Sequence, residues 1–242
     1  PGVLLRWART PADVADADII ILPGSKHTSS DLTWMRHQGL DISISDHAAK
    51  GKTVLGICGG LQMLGEALID PYGIDGNAPG LGLLPLVTLF EREKIVKRSH
   101  AKFTPFSGSF DALANLAVSG YEIHHGQTTQ HLGMATAGSV AQVILKSQDG
   151  KPLGWTNQRG NVLGLYLHGL FEDANALKAL FGNDAPTLEG SFEGLADYGW
   201  SEPTLPSTVS GKIADYPIKD FYLTNAICRA SETMQKCSAE LV

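Results

Sequence analysis

Between residues 53 and 69 the chain reads Thr-Val-Leu-Gly-Ile-Cys-Gly-Gly-Leu-Gln-Met-Leu-Gly-Glu-Ala-Leu-Ile, and this stretch restricts the fold more than any other. Val54, Leu55 and Ile57 form an apolar run that predicts a buried strand, and Leu61, Leu64 and Leu68 recur at helical spacing after it. A strand that turns straight into a helix at Cys58 sets that side chain at the carboxyl edge of a sheet, with Gly56, Gly59 and Gly60 permitting the tight corner. A free cysteine is usually a small buried hydrophobe, but packing alone does not call for three glycines around one. The stretch therefore reads as a presented thiol. The helix start directs unpaired amides and partial positive charge at it, which predicts a lowered thiol pKa. The Gly59 amide is in place to face a developing oxyanion.

The rest of the chain fits an α/β frame around that corner. Val3–Trp7 predicts a strand, Pro11–Asp16 a helical turn, and Ala17–Leu22 a strand covered on both faces, ending in Pro23-Gly24-Ser25. Ser29 or Ser30 is a candidate N-cap for a helix from Asp31 to His37 that buries Leu32 and Met35, and Asp41–Lys50 predicts a second helix. Strands alternating with helices imply a mainly parallel central sheet flanked by helices, with ligands at its carboxyl edge, where Gly24 and Cys58 both fall. Pro71–Gly82 is a glycine-rich loop, Leu83–Glu91 a strand, and Tyr121–His125 alternates as strands do, while the segment from Lys97 to Gly126 as a whole has no clear period. Val140–Lys146 predicts a further strand. Pro152–Thr156 and Asn161–Leu167 predict a hairpin through Asn157-Gln158-Arg159-Gly160, and Phe171–Phe181 a helix with Ala174, Leu177 and Leu180 on its apolar face.

Beyond Asn183 the pattern weakens, with Pro186, Pro203, Pro206 and Pro217 breaking it into short pieces and Phe221–Leu241 as the one remaining helical stretch. The expected division is a domain over 1–182 and an extension over 183–242. The chain opens at Pro1 without an initiator methionine, which reads as a fragment or a processed form.

A formal net charge of −6 with no block of Lys or Arg argues against nucleic acid or an anionic membrane surface as the main partner. No apolar run approaches membrane-spanning length and no signal-peptide layout is present, so the expected compartment is the cytoplasm. Cys58, Cys228 and Cys237 are odd in number and far apart, forming neither a disulfide framework nor a metal signature. Gly51-Lys52-Thr53 resembles the end of a phosphate-binding loop, but Asp46 stands where the first glycine is needed and the segment precedes a strand.

A cysteine nucleophile requires a base, normally a histidine distant in sequence. Of the eight histidines His168 is best placed, because it ends an apolar strand and is followed by glycine. Glu122 and His124 share one strand face and read as a pocket wall.

These motifs together resemble a family. Leu22-Pro23-Gly24-Ser25-Lys26 with Asp31-Leu32, Gly56-Ile57-Cys58-Gly59-Gly60-Leu61-Gln62-Met63-Leu64-Gly65, Tyr121-Glu122-Ile123-His124 and Gly164-Leu165-Tyr166-Leu167-His168-Gly169-Leu170-Phe171 are similar to the glutamine amidotransferase domain of the cobyric acid synthases, within the class I glutamine amidotransferases, a flavodoxin-like fold. The resemblance implies that Cys58 attacks the side-chain amide of glutamine with His168 as general base and acid. It also implies that Gly24, Gly59, Gln62, Glu122 and His124 serve substrate or oxyanion binding. No metal or cofactor is implied within this domain; ATP and Mg belong to a separate synthetase domain, absent from this chain, that amidates carboxylates of a corrinoid.

Most class I members carry a glutamate two residues after the catalytic histidine. Here that position is Leu170, which implies a Cys-His dyad, with Glu172 either a third member or an acidic residue favouring a helix start. Much of the strand expected to open the domain is missing, and residues 183–242 depart from the family pattern apart from an echo at Phe192–Asp197. The alternatives are the amidotransferase domain of a cobyrinic acid a,c-diamide synthase, a γ-glutamyl cysteine hydrolase, and an inactive docking module.

Overall fold

A computed structural model describes residues 4–182. Its strands are β1 (Ile19–Leu22), β2 (Thr53–Ile57), β3 (Ala67–Ile69), β4 (Ala78–Pro79), β5 (Leu86–Phe103), β6 (Ala117–Gln130), β7 (Gln142–Ser147), β8 (Pro152–Thr156) and β9 (Val162–Leu165). Its helices are α1 (Pro11–Val14), α2 (Thr28–His37), α3 (Leu40–Ala49), α4 (Gly59–Leu64), α5 (Leu132–Thr136) and α6 (Ala174–Phe181). One sheet runs β1-β2-β9-β8-β7-β5-β3-β4, with β6 paired to β5 off that path.

The α/β class holds, but the sheet is mixed and not mainly parallel. Parallel pairing is confined to β1 with β2, β2 with β9, and β3 with β5. The remaining pairs are antiparallel; for β7 with β8 and β8 with β9 the cause is a short connection that can only return the chain alongside itself, whereas β5 with β7 is a long-range pairing. The parallel trio β1-β2-β9 carries the site, and α4 packs across all three strands. The core there is Leu22, Val54, Leu55, Leu61, Leu64, Leu163 and Leu165, all at or below 1% exposure, so apolar burial fixes this part of the molecule most firmly. Asn161 locks the hairpin onto the neighbouring crossover, its Nδ2 donating to the carbonyls of Ala48 and Lys52, each at 2.9 Å.

Several local expectations are corrected. Residues 4–7 form no strand, and Leu4, Leu5 and Trp7 are exposed. β1 ends the strand order among the described residues, so Ile19 is left exposed instead of covered. Neither serine caps α2: that helix starts at Thr28, and Ser29 instead bonds Asp75 through both its amide and its hydroxyl. Helix α4 stops at Leu64 because Gly65 is extended, and Leu68 is buried in β3. In α6 the buried residues are Ala176 and Leu177, with Asp173 as a true N-cap accepting from the amides of Asn175 and Ala176.

The segment without a clear period is the β5–β6 ribbon, which is bulged between Phe90 and Ile95. Its β5 residues Arg92, Lys94, Lys97 and Arg98 are exposed, so no burial-driven alternation marks them in the sequence. Among the described residues no helix is long and apolar enough to cross a membrane. The extension over 183–242, with its candidate helix Phe221–Leu241, lies outside the described residues.

Candidate active site

Cys58 follows the last residue of β2 and precedes the first of α4, with φ 53° and ψ −106°. A non-glycine residue in that region is strained by about 1–3 kcal/mol, which the surrounding packing must hold. The amide of Cys58 donates to the Leu165 carbonyl of β9 at 2.7 Å, and its carbonyl accepts from the Gln62 amide at 3.1 Å, fixing the corner from both sides.

The three glycines are there for close approach. A Cβ on Gly60 would lie 2.0 Å from the Leu22 carbonyl oxygen, and one on Gly56 would lie 2.6 Å from the Gly60 carbonyl carbon. A Cβ on Gly59 would lie 2.7 Å from the Ser25 amide nitrogen. The Gly24-Ser25 backbone therefore rests against the start of α4, beside the nucleophile.

The thiol itself is buried, at 5% exposure, and its Sγ donates to the Ile123 carbonyl at 3.3 Å. Burial pushes its pKa up to about 12, against opposing pulls from the Gly59 amide and the charge of Lys94. This corrects the expectation of a presented thiolate. The six-residue α4 supplies too little helix-end field to offset desolvation, so Cys58 rests as a neutral thiol. Alkylation of Cys58 by iodoacetamide, followed by peptide mapping, is accordingly expected to keep accelerating from pH 7 to 10; a plateau below pH 8 would show an ionised resting thiol.

His168 lies just past β9, joined to Tyr121 of β6 by an antiparallel bridge. A Cβ on Gly24 would sit 3.1 Å from His168 Cε1 and 3.8 Å from Cys58 Cβ, which bounds those two atoms to within about 7 Å of each other. Gly24 thus lies beside both Cys58 and His168, and a side chain there would crowd the imidazole. His168 Nε2 is buried without a hydrogen-bond partner. Burial, and then the charge of His124, hold the imidazole down at about 4. It is therefore unprotonated at neutral pH, the form a base requires.

The other expected site residues surround this pair. Glu122 and His124 are both buried on one face of β6. Although burial acts to raise its pKa, hydrogen bonds from His124, Ser99 and Lys97 hold Glu122 at about 2. Its carboxylate accepts from Ser99, lies 3.2 Å from Lys97 Nζ and faces His124 Nε2 at 3.5 Å. His124 stacks on Tyr166 at 3.8 Å between centroids, and its Nδ1 donates to the Gly126 carbonyl at 2.7 Å. Gln62 points into the protein: its Oε1 accepts from Thr28 at 3.1 Å and its Nε2 lies 3.5 Å from the Tyr166 hydroxyl, in a buried chain that continues through Thr128 to Thr88. Its side chain braces the layer beneath the nucleophile.

Sequence reasoning did not find two further contacts. Ser25 donates to Asp31, which burial raises to about 6, so the loop that carries Gly24 is tied to α2. The Tyr121 ring stacks on His168, a pairing across 47 positions that leaves no local sequence signal. Leu170, where an acid would be expected, is 1% exposed and packed in the core. The acid that favours the start of α6 is Asp173, one residue past Glu172. Among the described residues no group of three or more His, Cys, Asp or Glu is arranged to hold a metal ion.

A cysteine at a strand-to-helix elbow on a parallel β-edge, with a histidine from the adjoining strand end close by across Gly24, lies in an α/β domain of the class I glutamine amidotransferase fold. Residues 1–176 match the family profile described as "CobB/CobQ-like glutamine amidotransferase domain", and the chain belongs to that family. Residues 192–237 match a second profile, that of the C-terminal region of an NADH-ubiquinone oxidoreductase component. A protein named cobyric acid synthase from Variovorax paradoxus (strain S110) is 64% identical over 198 residues, covering 82% of this chain and 40% of its own length. Another of that name from Acidovorax sp. (strain JS42) is 62% identical over 196 residues, covering 81% and 39%. A solved chain described as "Crystal structure of glutamine amidotransferase" aligns over 78% of this chain and 85% of its own at 16% identity, with a TM-score of 0.47. The chain spans about two fifths of the length of the cobyric acid synthases it matches.

Proposed function

We propose that this domain is the glutaminase of a cobyric acid synthase, releasing ammonia from glutamine for the ATP- and Mg-dependent amidation of corrinoid carboxylates by a synthetase part of the enzyme. The observation that supports the reading best is the convergence of Cys58 and His168 on Gly24, with the Gly59 backbone packed against Ser25.

In the first step Cys58 Sγ attacks the Cδ carbon of the glutamine side chain while its proton passes to His168 Nε2. The resulting oxyanion is held by the amides of Gly59 and of the Gly24 loop. The tetrahedral adduct collapses as the imidazolium returns the proton to the leaving nitrogen. Ammonia departs, and a γ-glutamyl thioester remains on Cys58. Water then attacks the thioester, giving its proton to His168, which delivers it to the departing sulfur; glutamate leaves and the thiol is restored. In the empty site burial keeps both partners neutral, so the proton transfer from Cys58 to His168 must be favoured by the seated substrate. Glu122 and His124 are proposed as a polar wall of the glutamine pocket, and Gln62 as its brace.

The test is release of glutamate from free glutamine, compared with release from γ-glutamyl peptides, together with labelling by a diazo-ketone glutamine analogue. Glutamate from free glutamine and a label mapped to Cys58 are the expected results. Turnover of γ-glutamyl peptides alone, or a label on Cys228 or Cys237 instead, would defeat the reading.

A further inference from the structure

We propose that Tyr121 is the positioning residue of the catalytic histidine, its ring doing for His168 what a carboxylate does in most enzymes of this class. The proposal rests on the glutaminase reading above and concerns how the base is held.

In a nucleophile–histidine–acid site the third member orients the imidazole and stabilises the imidazolium that forms as the nucleophile gives up its proton. Here the position two residues past His168 is a buried leucine. Tyr121 is placed to serve both tasks from the face of the ring. The Tyr121 ring lies parallel to the His168 ring, with 2° between their planes and 5.2 Å between centroids, the offset stack that aromatic pairs favour. The two residues are also clamped through their backbones: the His168 amide donates to the Tyr121 carbonyl at 2.8 Å, and the Tyr121 amide donates to the His168 carbonyl at 3.2 Å. Ring and backbone together leave the imidazole one tilt.

The flanking glycines are a second, independent sign that the chain is shaped for this approach. A Cβ on Gly120 would lie 2.0 Å from the His168 carbonyl oxygen, so only glycine lets β6 come this close. Gly169 has φ +83°, a left-handed conformation that suits glycine, and a Cβ on it would meet Tyr121 Cε1 at 3.5 Å. The glycines before Tyr121 and after His168 thus open the space in which the two rings stack.

The stack also supplies the second task. When His168 takes the thiol proton, the imidazolium lies over the electron-rich face of a phenol ring, an attraction that strengthens with desolvation. His168 Nε2 is buried and the residue as a whole is half-buried, so the positive charge would be only partly hydrated. The stabilisation acts on the protonated state that appears during reaction, and hence on turnover more than on glutamine binding.

The experiment uses the full 242-residue chain, free glutamine as substrate, and circular dichroism to confirm folding of each variant. Tyr121→Leu is expected to lower kcat about 100-fold with KM within about threefold of wild type, the range in which a base loses its alignment. Tyr121→Phe, which keeps the ring, is expected to restore activity to within about threefold of wild type. Pentafluorophenylalanine at position 121 keeps the shape but reverses the charge of the ring face, and is expected to lower kcat about tenfold relative to phenylalanine. Wild-type kcat in Tyr121→Leu overturns the proposal, as does a Phe variant as slow as the Leu variant. If Tyr121→Leu is unfolded, the fluorinated ring decides, and equal kcat for the two phenylalanines overturns it. Wild-type protein that releases no glutamate overturns the glutaminase reading first, and this proposal with it.

Discussion

Cys58→Ala is expected to lower glutamate release by roughly 10⁴-fold or more and to abolish the diazo-ketone adduct, because the alanine side chain cannot form the thioester through which the amide is cleaved. The change should cost little stability. The removed sulfur makes one weak hydrogen bond, to the Ile123 carbonyl at 3.3 Å, and alanine tolerates the left-handed strain at this corner no worse than cysteine does. Loss of activity without loss of fold is therefore the signature to seek, measured as turnover beside the melting temperature. An alanine variant that still hydrolyses glutamine at a tenth of the wild-type rate would mean that the nucleophile lies elsewhere.

His168→Ala is expected to lower kcat by about 10²- to 10⁴-fold, the usual contribution of a positioned general base, and to slow adduct formation at Cys58 in parallel. The pH profile carries the sign. His168 sits at about 4, below its ordinary value, because a charged imidazole is disfavoured where it is buried and near the charge of His124. The neutral base therefore persists as pH falls from about 6.5, and the acid limb of kcat/KM is expected near pH 4. Stability runs the other way over the same window. The unfolded chain binds the proton first, so this group's contribution is complete above about 6.5 and is lost as pH falls toward 4, below which it no longer changes. A fall in kcat/KM centred at pH 6.5 in the wild type, or a His168→Ala enzyme with an unchanged profile, would remove His168 from the reaction.

The two expectations have one origin. Cys58 and His168 are each moved away from the ionised state by desolvation, one to about 12 and the other to about 4. Leu170, two residues past His168, is buried in the core and supplies no charge to offset that desolvation.

Much of this was legible in the residues. The strand-to-helix corner at Cys58 could be read from a short apolar run, a cysteine and flanking glycines, because the packing that needs those glycines is local: α4 must lie on β1 and β2, and the chain between is short. The hairpin joining β8 and β9 was readable for the same reason, since its turn residues lie together at 157–160. The β5–β6 ribbon was not. It stands clear of the core over Arg92 to Arg98, so its side chains answer to solvent and not to a buried face, and no alternation records its pairing. The mixed sheet was hidden likewise, because β5 meets β7 and β3 through long-range pairings that no turn announces.

The sequence by itself determined which side chains are the candidates: a sulfur at a glycine-framed elbow, and a histidine at the end of an apolar strand as its proposed partner. Only the tertiary structure decided their state and their support. It buried the thiol beneath the Ile123 carbonyl, filled the usual acid position with a core leucine, and laid a tyrosine from 47 residues away against the imidazole. The physical reason is that identity and spacing are local properties of a chain. Desolvation and stacking depend on what the rest of the molecule brings to the same place.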